Sequence, residues 1–407
     1  MSPAKRKETR TLELLAPNRR KHATAMVELI AKVFAGEGGY YKLRDFGRCI
    51  LLHSPYDWST SRIGLVDGRI VAHWGACDYI MRIGGARVRV GGVTCVVTDA
   101  DYRKRGFMNG TGWASVNAMR DAGYDMTILF GIDDYYSRFG YVNAWPGERY
   151  LVKPSDLPSE PPAVAPRKFA LHRREDIVAL YNRYYARFTG TAVRPMFRRV
   201  PKARKWEGHV WHDARGAVEG YVVTHRHRDA LVCVEYCGDA EEALHVLARL
   251  ARKWKCREVQ FPWLHHESSL CKRIRRGNCR VETDLKRSGG PMIRTLNLRS
   301  TLGKLTRELS RRLKRSHMAG WRGEVLVADP REKVTLAINR ATVSVAPARK
   351  SKHSIRGGEE IAQLIIGSDE PGEIVEAAAI KVTGDARKLI EVLFPNQHPL
   401  LCALDEY

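Results

Sequence analysis

The sequence has no long apolar run and no leader-like segment. No stretch approaches the roughly 20 apolar residues that a membrane-spanning helix requires. The N-terminus, MSPAKRKETR, is basic but lacks the apolar core of a secretory signal behind it. We therefore expect no membrane span, no export and a cytoplasmic setting.

The sequence is also poor in motifs for disulfides, metals and covalent catalysis. Its nine cysteines are an odd number without a Cys-x-x-Cys pair, which argues against a disulfide framework and fits a reducing compartment. The pairs His225/His227 and His265/His266 lack further ligands at a metal-binding spacing. No catalytic serine or cysteine motif occurs. No metal is predicted.

Acidic residues are the scarcer charge. The chain has 69 Lys and Arg against 45 Asp and Glu, which gives a formal net charge of +24. A field of this sign attracts polyanions such as CoA, nucleic acid and anionic lipid, but it does not bear on the fold. The 407 residues exceed one typical domain, so two or three domains are predicted.

The most informative stretch spans residues 91–141. It begins with a β-branched strand at 93–98, turns, presents the basic run Arg103-Lys104-Arg105 and enters a helix at Gly106. The first N–H groups of a helix have no intrahelical partner, the helix dipole is positive there, and a glycine lets a ligand approach closely. This pattern predicts a diphosphate site; the alternative is an ordinary basic turn before a helix.

The same stretch resembles the acetyl-CoA motif of the GNAT acetyltransferases. Arg103-x-x-Gly106 between a strand and a helix, followed by a strand at 126–131, is similar to their consensus Arg/Gln-x-x-Gly-x-Gly/Ala, with Met108 at the last position. The Eis-like (enhanced intracellular survival) branch accepts larger residues there and carries a downstream Tyr-x-Arg-Phe-Gly-Tyr. Here Tyr136-Ser137-Arg138-Phe139-Gly140-Tyr141 stands at the family spacing, so the chain resembles that branch most closely.

The resemblance implies an acetyl-CoA-dependent N-acetyltransferase that transfers the acetyl group directly to an amine in a ternary complex. Acetyl-CoA is then a co-substrate. Strand backbone groups would hold the pantetheine chain and the acetyl oxygen, and the loop would wrap the diphosphate. The residues implied in this binding are Val96, Val97, Thr98, Arg103, Lys104, Arg105, Gly106, Phe107, Met108, Asn109, Gly131 and Ile132.

Two residues are implied as catalytic. Tyr136 would protonate the leaving thiolate, because a neutral phenol with a pKa of about 10 is a suitable general acid at pH 7. The α-carboxylate of Tyr407 would act as base, and the aromatic end of the chain suits burial. Alternatives are Tyr136 as a packing aromatic, a solvated and disordered terminus, and Asp101, Asp133 or Asp134 as the base.

The predicted fold class is α/β (α+β), with two GNAT folds in tandem followed by a sterol-carrier-protein-like α/β domain. The predicted boundaries are a catalytic GNAT domain at 1–153, a Pro-rich linker at 154–166, a degenerate second GNAT domain at 167–300 and a sterol-carrier-like C-terminal domain at 301–407 that supplies the terminal carboxylate. The second domain lacks Arg-x-x-Gly. Its loop instead carries Glu235, Asp239, Glu241 and Glu242, which would repel a diphosphate. We therefore predict that it is catalytically silent.

Local patterns predict individual elements. Apolar spacing predicts a helix at 24–35. Asp67-Gly68 joins strands at 63–66 and 70–74, and Gly84-Gly85 joins strands at 76–83 and 86–90. Asp176, Asp239 and Asp385 are predicted to cap helices, and residues 299–315 to form a helix with leucines on one face and cations on the others.

The partner predictions are less specific. The acceptor is an amine, on a small molecule or a lysine, and the basic balance argues against aminoglycosides. The resemblance also implies a homo-oligomer, often a hexamer. A competing hypothesis is a basic, non-enzymatic nucleic-acid- or lipid-binding protein on a GNAT scaffold, whose charge of +24 serves the polyanion. The helix at 299–315 is either a basic amphipathic helix for nucleic acid or an anionic membrane, or a connecting helix docked by its leucines. A third is a tandem acyltransferase resembling the Fem or N-myristoyl enzymes.

Overall fold

The computed structural model describes residues 11–170, 174–195, 206–286 and 288–406. The chain divides into two compact units, which are described separately. The first contains the chain up to Asp78 together with Gly91–Gly123, and the second contains Tyr79–Val90 and Tyr124–Glu406. None of the helices in the described ranges has the length and apolarity needed to cross a membrane.

The described residues of the first unit form strands of a larger sheet and three α-helices. Its strands β1 to β4 follow one another in order across the sheet; β3 and β4 continue beyond this unit. The elements are β1 Glu13–Leu15, α1 Arg19–Gly38, α2 Tyr40–His53, β2 Arg62–Val66, β3 Arg69–Ile83, β4 Ala86–Thr98 and α3 Phe107–Asp121.

The helices α1 and α2 cover one apolar core of this unit. The side chain of Asn18 accepts hydrogen bonds from the N–H groups of Arg20 and Lys21, so α1 begins five residues before the predicted start at 24. Helix α2 was not predicted. Its Ile50 and Leu51 are buried in the core that also contains Met26 and Ile30 of α1.

The hairpin between β2 and β3 was predicted correctly. Asp67 and Gly68 both have positive φ, at 50° and 74°, as a two-residue turn of the I′ type requires. The expectation that residues 70–74 and 76–83 form separate strands was wrong, because β3 runs unbroken through Gly75. Likewise β4 joins the predicted strands at 86–90 and 93–98 into one.

The second unit holds the remaining elements. In its first half these are β5 Met126–Gly131, β6 Val142–Asn143, β7 Gly147–Val152, β8 Arg167–Phe169, α4 Glu175–Tyr184, β9 Ala192–Val193, β10 Glu207–His212, β11 Val218–His227, β12 Ala230–Cys237, α5 Ala240–Lys253, β13 Glu258–Phe261 and α6 Ser269–Arg275. In its second half they are β14 Arg280–Asp284, β15 Gly290–Thr295, α7 Leu298–Lys314, β16 Arg322–Ala328, β17 Lys333–Asn339, β18 Thr342–Pro347, β19 His353–Arg356, α8 Ile361–Ile366, α9 Pro371–Ala377, β20 Lys381–Thr383 and α10 Ala386–Leu393.

Strand pairing in this unit connects distant parts of the sequence. β15 lies antiparallel between β5 and β6. β7 pairs with β13 and β14, within a sheet of order β14-β7-β13-β12-β11-β10-β8. A third sheet has the order β18-β17-β16-β19-β20. The alternation of helices and strands throughout confirms the predicted α/β class.

Helix α7 is a docked element. Leu302, Leu305, Leu309 and Leu313 are fully buried, as the predicted apolar face requires, and most of the cations of the helix are exposed. Arg312, by contrast, is buried and binds Glu308 at 2.8 Å. This is the connecting-helix interpretation of residues 299–315. It removes the apolar face that a membrane-surface helix would need.

The predicted caps have mixed outcomes. Asp239 caps α5 by accepting from the N–H of Glu242. Asp176 instead lies inside the first turn of α4, where its carboxylate binds the side chain of Arg174. Asp385 precedes α10 without a side-chain cap, because its carboxylate accepts from the indole N–H of Trp321.

Candidate active site

The end of β4 carries the first group of predicted site residues. Val96 and Thr98 are partly exposed, whereas the side chain of Val97 is buried in the core beneath α1 and α2. Cys95, directly before them, has φ of 50°, a left-handed conformation that is unusual for a strand residue. The strand is therefore kinked just where the predicted pantetheine-binding segment begins.

The loop after β4 is held by a buried carboxylate. Asp99 is 1% exposed, accepts from Lys32 at 3.1 Å and from Arg69 at 2.7 Å, and caps a short 3-10 helix through the N–H of Asp101. Burial acts to raise the pKa of Asp99, but the hydrogen bonds and charges of its partners hold it below its usual value. Asp99 is thus a charged anchor for the loop.

The three cations that follow lie on the surface. Arg103, Lys104 and Arg105 are exposed, and none of them takes part in an ion pair among the residues the structure describes. Arg103 donates through Nε to the carbonyl of Thr98 at 3.3 Å, and Arg105 lies over the ring of Tyr102 at 5.4 Å. The loop therefore presents positive charge that its own unit does not neutralise.

The start of α3 is marked by a left-handed glycine. Gly106 precedes the helix in a left-handed conformation, with φ of 79°, and no side chain of the described chain caps the first turn. A Cβ placed on Gly106 would meet nothing within 4 Å. Phe107 is half-buried and Asn109 is exposed, while Met108 is buried. Because the Met108 side chain points into the core, its departure from the Gly/Ala of the motif leaves the exposed face clear.

The second group of predicted site residues lies at the end of β5. Gly131 packs against Tyr136 so closely that a Cβ on it would come within 2.6 Å of the tyrosine ring. Ile132 is 68% exposed, and Phe130 is 41% exposed. Exposed apolar side chains at a strand end are the surface that an apolar ligand segment could cover.

Tyr136 begins a short 3-10 helix that ends at Phe139. Its ring meets that of Tyr135 edge-on at 5.0 Å and that of Tyr141 at 6.3 Å. Burial, with a smaller effect of Tyr135, raises the pKa of Tyr136 well above the usual phenol value. The phenol is therefore protonated at neutral pH and can act as a proton donor.

The predicted base, Tyr407, lies outside the described residues. The residues before it are firmly held within the second unit, since Leu401, Cys402, Ala403 and Leu404 are all buried. The alternative of a solvated, disordered terminus is therefore wrong for residues 401–405.

A buried ion cluster fixes this part of the tail. Arg194 binds Asp405 at 2.7 Å and Glu235 at 2.5 Å, and all three side chains are at most 3% exposed. Tyr181 donates to Asp405 at 2.9 Å, and Tyr221 donates to Glu235 at 2.6 Å. Asp405 can be buried because Arg194 neutralises its charge.

Contrary to the sequence-based prediction, the acidic residues at the junction of β12 and α5 do not all face the loop. Glu235 points into the ion cluster just described and so does not contribute charge to the loop. Asp239 caps α5, Glu241 pairs with Arg273, and Glu242 accepts from the N–H groups of Ala163 and Val164. The start of α5 is thus occupied by carboxylates of the chain itself.

The alternative bases are surface residues. Asp101 and Asp134 are exposed, and Asp133 is 68% exposed and 3.8 Å from Lys286. Sequence reasoning missed Arg194 and His73, a buried histidine of β3. Neither belongs to a motif, and both bind residues far along the chain, so no local signal marks them.

The comparisons with known proteins bear on the fold and on the class of enzyme. Residues 17–144 match a family model described as an acetyltransferase (GNAT) domain, so the chain is an acyltransferase. No curated protein matches the sequence.

Solved structures share the fold over nearly the whole chain. A GCN5-related N-acetyltransferase from Kribbella flavida is 17% identical with a TM-score of 0.73, covering 98% of this chain and 99% of that one. One from Anabaena variabilis is 13% identical with a TM-score of 0.75, covering 98% and 100%. Eis1 from Mycobacterium abscessus is 13% identical with a TM-score of 0.70, covering 96% and 99%.

Proposed function

We propose that the protein is an Eis-like, acetyl-CoA-dependent N-acetyltransferase, with two GNAT folds in tandem and a sterol-carrier-like C-terminal domain. The observation that supports this most is the start of α3, which no side chain of the described residues caps, beside three exposed cations at Arg103, Lys104 and Arg105. Free N–H groups, a helix dipole and a left-handed glycine favour a diphosphate, and CoA carries one.

The proposed chemistry needs orientation and proton transfer. The thioester is already activated, so backbone groups of Val96 and Thr98 need only hold the pantetheine chain and the acetyl oxygen. The amine attacks the thioester carbonyl, the C–S bond breaks and the acetyl group forms an amide. Tyr136 gives its phenolic proton to the thiolate sulfur as it leaves, and the terminal carboxylate of Tyr407 accepts the proton that the amine loses.

Direct turnover is the first test. The full chain is incubated with acetyl-CoA and a panel of amines, including small polyamines and lysine peptides, and thiol release is measured. We expect release that depends on the amine, and CoA binding by calorimetry. Absence of both would contradict the proposal.

Removal of Tyr407 tests the proposed base. The deletion leaves Asp405 and Glu406 in place, so CoA affinity should be nearly unchanged while turnover falls about 100-fold or more. A wild-type rate would remove the carboxylate from the mechanism and leave the transferase assignment intact.

A further inference from the structure

The kink of β4 at Cys95 is supported by side chains and by the close approach of β3. The imidazole of His73, on β3, lies with Nδ1 2.6 Å from the carbonyl oxygen of Cys95. Two residues further along β3, a Cβ on Gly75 would come within 2.7 Å of the carbonyl oxygen of Thr94. β3 therefore approaches the kink closely at Gly75, which has no side chain, and forms a hydrogen bond to it through His73.

The kink needs such a support. A left-handed conformation costs a residue with a Cβ about 1–2 kcal/mol. Cys95 is 7% exposed, so its carbonyl also requires a hydrogen-bond donor. Because a carbonyl only accepts, Nδ1 of His73 must carry the hydrogen. His73 thus satisfies the polar group that the kink turns into the core.

A second hydrogen bond fixes the imidazole. Nε2 of His73 is 2.7 Å from the hydroxyl of Tyr56, and both side chains are buried. With the hydrogen on Nδ1, a neutral ring accepts at Nε2 from the Tyr56 hydroxyl. Burial lowers the pKa of His73 to about 4, so the ring is neutral at physiological pH. Tyr56, His73 and Cys95 form one directed chain of hydrogen bonds.

We propose that His73 is a positioning residue for acetyl transfer, which holds the kink at Cys95 and thereby sets the backbone of residues 96–98 that receives the thioester. This inference rests on the proposed function. The strand keeps its alternation after the kink, with Val96 and Thr98 partly exposed around buried Val97. The direction of their backbone groups therefore follows from the conformation of Cys95, and His73 acts on the reaction only through it.

Two substitutions of His73 distinguish the effect of its hydrogen bond to Cys95 from that of its hydrogen bond to Tyr56. The amide nitrogen of Asn lies about where Nδ1 of a histidine lies, so His73→Asn can still donate to Cys95. The amide of Gln lies about where Nε2 lies, so His73→Gln serves Tyr56 and leaves the Cys95 carbonyl without its donor. Both replace the ring with a neutral amide, and Asn leaves the larger empty space because it is one methylene shorter. A general loss of packing should therefore harm the Asn variant more than the Gln variant.

We expect His73→Gln to lower kcat about 100-fold, the loss typical of a misplaced reactant. The dissociation constant of CoA should stay nearly unchanged, because the diphosphate loop is untouched. His73→Asn should recover most of the rate. Tyr56→Phe, which keeps both rings, should show a smaller loss than His73→Gln. Thermal unfolding of each variant checks that it is folded.

Hydrogen exchange gives a readout that does not depend on turnover. Backbone amides of residues 95–98 should exchange faster in His73→Gln than in His73→Asn or the wild type. Equal exchange and equal kcat in the Asn and Gln variants would overturn the inference. A wild-type protein that neither binds CoA nor acetylates an amine would instead overturn the proposed function, while the exchange result would still report on the kink.

Discussion

Acid catalysis by Tyr136 can be tested by removing its hydroxyl group alone. Tyr136→Phe keeps the ring that packs against Gly131 and removes only the hydroxyl. A general acid contributes about 10²- to 10⁴-fold, so kcat should fall by at least about 100-fold while CoA affinity is retained. The control is Tyr135→Phe, because Tyr135 is half-buried and meets Tyr136 edge-on at 5.0 Å. Equal rates for the two variants would remove Tyr136 from the role of acid.

His73 should also make stability depend on pH. Its pKa is lowered by burial to about 4, against 6.5 in the unfolded chain. Above pH 6.5 neither state binds the proton, and the stability is complete. As the pH falls from 6.5 towards 4, the unfolded chain gains the proton first, so the free energy of unfolding falls, by about 3 kcal/mol at pH 4.

Urea unfolding between pH 7 and pH 4.5 measures this effect. Other buried histidines, such as His265, also lose stability in acid, so the comparison must be between the wild type and His73→Asn. The variant lacks the group and should show a shallower decline with pH. Parallel curves for the two proteins would mean that His73 is already protonated, or equally protonated, in both states.

Predictability at the residue scale depends on how local the signal is. Tyr136 and the loop at Arg103–Gly106 could be proposed from the sequence because their motifs are short and contiguous. The bond between His73 and Cys95 spans 22 residues, and that between Arg194 and Asp405 spans 211. Only the pairing of strands and the path of the tail bring such residues together, so spacing alone could not reveal them.

The start of α3 can be tested against its own C-terminal end. Gly106 and Gly123 have φ of 79° and 77°, and a Cβ would meet nothing within 4 Å at either position. Substitution by alanine should therefore cost each about 1 kcal/mol of stability through backbone strain. Gly106→Ala alone adds its methyl group at the proposed diphosphate site.

We expect Gly106→Ala to weaken CoA binding about 10-fold or more and Gly123→Ala to leave it unchanged. Calorimetry with CoA gives the affinities, and urea unfolding gives the stabilities. Loss of affinity in both variants would attribute the effect to the stability of α3. Unchanged affinity in both would place the diphosphate elsewhere.

Elements that end at turn-forming residues were predicted well, and elements without such residues were not. The β2–β3 hairpin was predicted because Asp67 and Gly68 adopt the positive φ that these residue types favour. Helix α2 was missed because it follows Gly39 without a side-chain cap and contains Gly47. A Cβ on Gly47 would contact Ile30 at 3.5 Å, so this glycine serves the packing of α2 on α1.

At the scale of the whole molecule, sheet membership does not follow chain order. β7, expected to close the first domain, pairs with β13 and β14 of the second sheet. β15, expected in the second domain, pairs with β5 and β6. Each exchange gives a strand two neighbours and removes an exposed edge. Such long-range pairing leaves no mark in local periodicity, which is why the class was predictable and these neighbours were not.

The ion cluster around Arg194 holds the described tail at Asp405. A buried ion pair adds little stability compared with apolar packing, but removing one partner leaves a charge buried without compensation. Arg194→Met leaves the buried carboxylates of Glu235 and Asp405 without a neutralising charge, so the free energy of unfolding should fall by about 3–5 kcal/mol. Residues 400–406 should detach first, because the ion pair between Asp405 and Arg194 joins them to the rest of the unit.

Urea unfolding and carboxypeptidase digestion test this prediction together. Lys304→Met is the control, because it removes the cation that binds another buried carboxylate, Asp125. Asp125 keeps its hydrogen bonds from the hydroxyl of Ser300 and from the N–H of Arg89. Arg194→Met should lose more stability than Lys304→Met and should release residues 400–406 to the protease at urea concentrations where the control resists. Release at the same urea concentration in both variants would show that general stability, and not the bond to Arg194, holds the tail. A protein with a proposed base at its last residue depends on that bond, because the carboxylate can act from one position only if the chain before it is fixed.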